Sequence, residues 1–189
     1  IAAVTITGCK IDGNDALPQA SFRVVHASPN APNLDVYLNG FTAATNLAYD
    51  SSTKYAPAGA GNYQLRVATT GTATYLIDAG IGLEAGRTYS IYTIDSLSKI
   101  RAVATRDDFT VPPSDSIRLR FLHFSTNTGL IDLTDGTNVL FAGRGFNDQF
   151  LSPSYASYIN LPAGTYNFEI TPSGAPAVIY SMPGTVLAG

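Results

Sequence analysis

A histidine, a serine, an asparagine and an aspartate recur together twice in this chain. They are His26, Ser28, Asn30 and Asp35, then His123, Ser125, Asn127 and Asp132, both in the pattern H-x-S-x-N-x4-D. Two chemistries draw on such residue types. A serine nucleophile needs a histidine base and a carboxylate that orients it. A metal centre needs three or four convergent nitrogen, sulfur or oxygen ligands. Neither fits the spacing. Ser28 lies in a Ser-Pro bend without a glycine-rich elbow to supply oxyanion donors. Each copy offers His, Asp and at most an Asn or Ser, too few for a metal. The remaining reading is structural: the histidine ends a strand, and Ser, Asn and Asp hydrogen-bond the backbone of an irregular connection that proline leaves underpaired. Repetition in both copies suits that role, so no catalytic residue, metal ligand or cofactor is expected.

The elements that must position these residues read as strands. Apolar residues recur at period two, with Gly or Pro punctuation every ten residues or so. Residues 22–26 form a buried strand, and Ser28-Pro-Asn-Ala-Pro32 forces a bend. Residues 34–38 alternate, with Leu34, Val36 and Leu38 on one face, before the hairpin signal Asn39-Gly40. After a looser link over 46–55 and a turn at 57–61, strands follow at 63–67, 75–77, 88–94 and 100–105. The second copy repeats the plan at 117–122, 130–133, 161–170 and 177–180, with Asp135-Gly136 in the place of Asn39-Gly40. It has no counterpart of 88–94 or 100–105. The expected fold is all-β: two tandem Ig-like antiparallel β-sandwich modules, the second lacking its C-terminal strands. The boundaries are an N-terminal strand and linker at 1–20, a first repeat at 21–108, a Pro-rich linker at 109–115 and a second repeat at 116–189.

Composition narrows the partners. With 45% apolar and 13% charged residues the chain can bury a core. A net charge of −3 and the lack of a basic stripe exclude nucleic acid. Arg118 and Arg120 flank apolar residues and read as a strand's solvent face. Asp107-Asp108 reads as solvated linker, and Asp12-Gly-Asn-Asp15 lacks the closing glutamate of a calcium loop. Tyr89, Tyr92, Tyr155 and Tyr158 could offer aromatic faces to glycans, although tyrosine is also ordinary strand filler.

The N-terminal segment supports two readings. Ile6-Thr7-Gly8-Cys9 resembles a bacterial lipobox, which would make Cys9 a lipidation site with residues 10–19 as a polar tether. Residues 1–7 also alternate, Ala2, Val4 and Ile6 facing one way, and are long enough for a strand. The run from Phe22 to Gly40 resembles the opening of DUF4397 domains, as do Asn62-Tyr63-Gln-Leu and Leu83-Glu-Ala-Gly-Arg-Thr-Tyr89. The second copy departs at Thr126, Gly129 and Leu130. The resemblance implies tandem β-sandwiches in secreted or lipid-anchored bacterial proteins and names no reaction.

From these features follows a non-enzymatic extracellular structural protein of a bacterial surface. It is a subunit of a filament built by donating residues 1–8, with Ile1, Val4 and Ile6 as anchors, to the incomplete repeat of the next subunit. Burying Val4 and Ile6 would contribute ~3–6 kcal/mol at ~1.5–3 kcal/mol per side chain. The competing expectation is an outer-membrane-anchored lipoprotein, held by lipid on Cys9, that acts in adhesion or glycan binding. A third is that the sequence is a piece of a longer product whose later strands complete the second repeat.

Overall fold

Alternation produces the strands of the first half. In the computed structural model, which describes residues 18–187, strand β1 (Gln19–His26) buries Ala20, Phe22, Val24 and His26 and turns the residues between them outward. β2 (Leu34–Leu38) and β3 (Phe41–Leu47) form the hairpin signalled by Asn39-Gly40, both of whose residues take positive φ, at 48° and 81°. That conformation matches the twist of paired strands and suits Asn and Gly. β4 (Ala56–Gly59), β5 (Gly61–Thr69), β6 (Tyr75–Leu83), β7 (Thr88–Ile94) and β8 (Arg101–Asp107) complete two four-stranded sheets, ordered β4-β1-β7-β8 and β3-β2-β5-β6. One core lies between them, with Phe22, Val24, Tyr89 and Ile91 from the first sheet against Leu34, Val36, Leu65 and Val67 from the second.

Two features differ from the sequence expectation. The first sheet is mixed, because β1 and β7 pair in parallel from Ser21↔Thr88 to His26↔Thr93. The chain between them runs through the opposite sheet and re-enters in the same direction. The expected turn at 57–61 is mostly strand β4, paired with β1. Pro57 is tolerated there because β4 is an edge strand.

The second half contains β9 (Ser116–Leu119), β10 (Ile131–Thr134), β11 (Val139–Arg144), β12 (Ile159–Pro162), β13 (Gly164–Pro172) and β14 (Tyr180–Leu187). Its larger sheet, β11-β10-β13-β14, repeats the order β3-β2-β5-β6. The other sheet is only β12-β9, the counterpart of β4-β1, and among the described residues nothing takes the places of β7 and β8. β14 starts at Tyr180, later than the alternation at 177–180 indicates. The gap shows in burial. Ile117, Leu119 and Phe121 are half-buried where Ala20, Phe22 and Val24 are buried, and Val186 on β14 is exposed.

Leu47, the buried end of β3, is matched by Arg144 at the end of β11. Its guanidinium pairs with Asp148 through two bonds of 2.7 and 2.8 Å and donates to the carbonyls of Phe121 and Tyr155. A buried charge is tolerable only when paired and hydrogen-bonded in this way.

The halves meet through groups that the sequence placed in solvent. Arg120 and Asp107 form a 2.5 Å ion pair with side chains only 7% and 2% exposed. Asp107 also accepts from the hydroxyls of Ser90 and Tyr55, and Arg120 lies over the Tyr158 ring. Arg118 pairs with Asp108 at 2.7 Å, and Tyr92 packs on Phe124. Neither arginine is a free solvent-face charge, and Asp107 is not solvated linker.

Candidate functional site

His26 stands at the end of β1 with no exposed surface. The Ser28 N–H points at its Nδ1 over 3.3 Å, so the ring proton sits on Nε2 and is donated to the Pro32 carbonyl at 3.1 Å. The ring thus pins the bend at two points. Burial holds its pKa below the ordinary histidine value, only partly opposed by the bond to Pro32. Ser28 donates to the Asp95 carbonyl at 2.5 Å, and Asn30 Oδ1 accepts the Leu97 N–H at 2.9 Å. Both contacts reach the turn that follows β7, where Asp95 has φ of 74°.

Asp35, on β2, braces two other loops. Its Oδ1 accepts the Asn46 N–H at 2.8 Å and the Thr70 hydroxyl at 3.0 Å, and its Oδ2 accepts the Gly71 N–H at 3.2 Å. These bonds, led by Asn46, hold its pKa below the usual carboxylate range. A carboxylate consumed by backbone donors does not orient a histidine for proton transfer.

The second copy keeps the brace. His123 Nδ1 accepts the Ser125 N–H at 3.3 Å, and Nε2 faces the Gly129 carbonyl at 3.2 Å. Asp132 accepts the Gly143 N–H at 2.6 Å and the Gly174 N–H at 3.4 Å. Burial lowers the pKa of His123, and the Gly143 bond leads the lowering at Asp132. The difference lies at Ser and Asn. Ser125 is exposed and donates to Asn127 Oδ1 at 3.1 Å, so the two residues that grip the β7 turn in the first copy bond each other in the second. The candidate site is therefore the β9 edge, the non-strand run 120–124 that continues it and the loop 125–127 beyond.

Other sequence candidates take their places around this frame. Tyr89 is buried and its hydroxyl accepts the Glu84 N–H. Tyr158 carries Arg118 and Arg120 on its ring, and Tyr155 carries Arg144. Those rings are engaged by the protein itself, which weakens the glycan-platform expectation. Among the described residues no three His, Cys, Asp or Glu side chains gather as metal ligands, and no helix is long and apolar enough to cross a membrane. Ile1, Val4, Ile6, Cys9 and Asp12–Asp15 lie outside the described residues. The buried Arg144–Asp148 and Arg120–Asp107 pairs escaped the sequence reading. Arg144 carries the one local signal, an arginine at the position that buried Leu47 holds in the first copy, whereas Arg120 sits where alternation turns side chains outward.

A family model described as a domain of unknown function, DUF4397, matches residues 20–134, more than half of the chain, in a single match from β1 through β10. No curated protein matches the chain.

Proposed function

We propose the following for a chain that belongs to the DUF4397 family: it is a non-enzymatic, extracellular structural protein of a bacterial surface, made of two tandem Ig-like sandwich modules. The second module accepts a β-strand from a neighbour. Residues 1–8 of the next subunit are the donor, and head-to-tail donation is heterologous and open, so it propagates a filament. One observation carries this reading. Among the described residues β9 pairs only with β12, beside half-buried Ile117, Leu119 and Phe121, where β1 in the first half holds β7. An unpaired strand edge beside uncovered apolar side chains favours pairing with another chain. The occupation of both repeated histidine–aspartate sets in bracing backbone supports a non-enzymatic role.

Electron microscopy and size-exclusion chromatography of the full chain and of a variant lacking residues 1–8 test the proposal. Polymers from the full chain and monomers from the variant are expected; filaments that persist after the deletion refute it. The second reading, a lipid-anchored adhesion or glycan-binding module, draws on Ile6-Thr7-Gly8-Cys9 and the polar residues after it. Mass spectrometry of the native chain separates the two. A diacylglyceryl Cys9 as first residue removes the donor strand and leaves an outer-membrane lipoprotein.

A further inference from the structure

We infer that the β9 edge and the 125–127 loop form one docking site that reads a strand and the left-handed turn after it, and that residues 1–10 of a second copy fit it in a single register. The inference rests on the strand-donation reading above and adds how the strand is recognised. The first half supplies the template. β7 runs parallel to β1 with Tyr89 beside Phe22, Ile91 beside Val24 and Thr93 beside His26. Asp95 then turns the chain at φ 74°, presenting its carbonyl to Ser28 and, two residues on, the Leu97 N–H to Asn30. These contacts engage backbone, so they specify a path more than a sequence.

Among the described residues the second half holds the same grip without its object. His123 shapes the loop through the same two ring contacts as His26, and Ser125 and Asn127 occupy the positions of Ser28 and Asn30. Their mutual 3.1 Å bond is what two groups of this kind form when neither has a turn to hold. Leu119 and Phe121, the counterparts of Phe22 and Val24, are half-buried beside the open edge.

One segment of the chain has the matching pattern. A left-handed position favours Gly, Asn or Asp, and Gly8 directly follows the alternating residues 1–7. Setting Gly8 in the place of Asp95 puts Ile6 beside His123, Val4 beside Phe121 and Ala2 beside Leu119, so these three turn inward and Ile1, an anchor in the sequence expectation, falls on the other face. Phe121 is larger than Val24 and Val4 smaller than Ile91, so the volumes offset at that pair, while Ala2 beside Leu119 fills less space than Tyr89 beside Phe22. The Gly8 carbonyl then meets the Ser125 hydroxyl, and the Lys10 N–H meets Asn127.

The test follows assembly of the full-length protein by light scattering and sedimentation, with folding checked by circular dichroism. Val4→Asp and Ile6→Asp probe donation itself and are expected to abolish assembly. Gly8→Val and Asn127→Ala probe the turn. Each is expected to raise the critical concentration about tenfold, from a strained left-handed valine or one lost hydrogen bond. If the aspartate variants stop assembly while Gly8→Val and Asn127→Ala behave as the parent, the turn register is wrong and strand donation stands. If the aspartate variants assemble normally, or the parent forms no polymer, both fail.

Discussion

Replacing His26 with alanine tests whether the repeated motif is a brace. The substitution removes a ring with no exposed surface and orphans the Ser28 N–H, which lies in a fully buried residue. The Pro32 carbonyl also loses its donor, but Pro32 is exposed and water can replace it. Emptying the ring's volume costs ~2–4 kcal/mol, by analogy with large-to-small core substitutions. An unpaired buried N–H adds ~1–3 kcal/mol, for a total of ~3–7 kcal/mol, a large share of the stability of a small domain. His123→Ala differs in one respect. Ser125 and Gly129 are both exposed, so both groups can turn to water and only the volume cost remains. His26→Ala is therefore expected to cost ~1–3 kcal/mol more than His123→Ala. His26→Asn places an amide oxygen where Nδ1 stood and should recover that difference. Urea unfolding followed by circular dichroism and tyrosine fluorescence measures all three, since the chain has eleven Tyr and no Trp. Equal costs for the two alanine variants, or no rescue by asparagine, would refute the reasoning. Loss of a binding or chemical activity with stability unchanged would overturn the brace itself.

Acid should destabilise the protein in two steps. Both histidines have folded pKa values below their ordinary value of about 6.5, so their contribution is whole above that pH and falls away below it. Asp35 and Asp132 are lowered from the ordinary carboxylate value, so their contribution is lost only as pH falls below about 4. Thermal unfolding across pH 3 to 8 should show both declines, and His26→Asn with His123→Asn should remove the upper one alone. At the junction of the halves, Asp107→Ala strands the buried Arg120 guanidinium and should cost ~3–5 kcal/mol. Adding Arg120→Met should recover much of that in calorimetry; additive losses would show that the pair is not coupled.

Local patterns in the sequence identified much of this fold because local chemistry determines much of it. Asn39-Gly40 tolerates two positive φ angles, and the alternation in β1 and β2 decides which side chains face inward. The two spaced H-x-S-x-N-x4-D motifs correspond to two matching sets of braces because each set of contacts spans a short loop or a neighbouring hairpin. What the sequence concealed depends on distant partners. Pro57 reads as a turn until β1 lies beside it, and only the path through the second sheet makes β1 and β7 parallel. Arg120 reads as solvent-exposed because its partner Asp107 lies across the linker. Arg144 occupies an inward position, but only the fold brings Asp148, Phe121 and Tyr155 around it.

Ser125 and Asn127 bear on function because the first half separates shaping the loop from using it. His26 and His123 shape their bends through the same two ring contacts within the bend, although the Thr93 hydroxyl of β7 also approaches His26 Nδ1 at 3.5 Å. The Ser28 hydroxyl and the Asn30 amide add nothing to that shape, since both of their bonds leave the loop for Asp95 and Leu97. A second half that needed only the bend would require its histidine and not this hydroxyl and amide. The Ser125–Asn127 bond is exposed and therefore weak in net terms. Exchanging it for two bonds to an incoming backbone loses little, and the apolar surface beside β9 supplies the rest of the driving force. Under the strand-donation proposal that balance leaves the site open to exchange rather than permanently closed, so assembly through it should depend steeply on concentration.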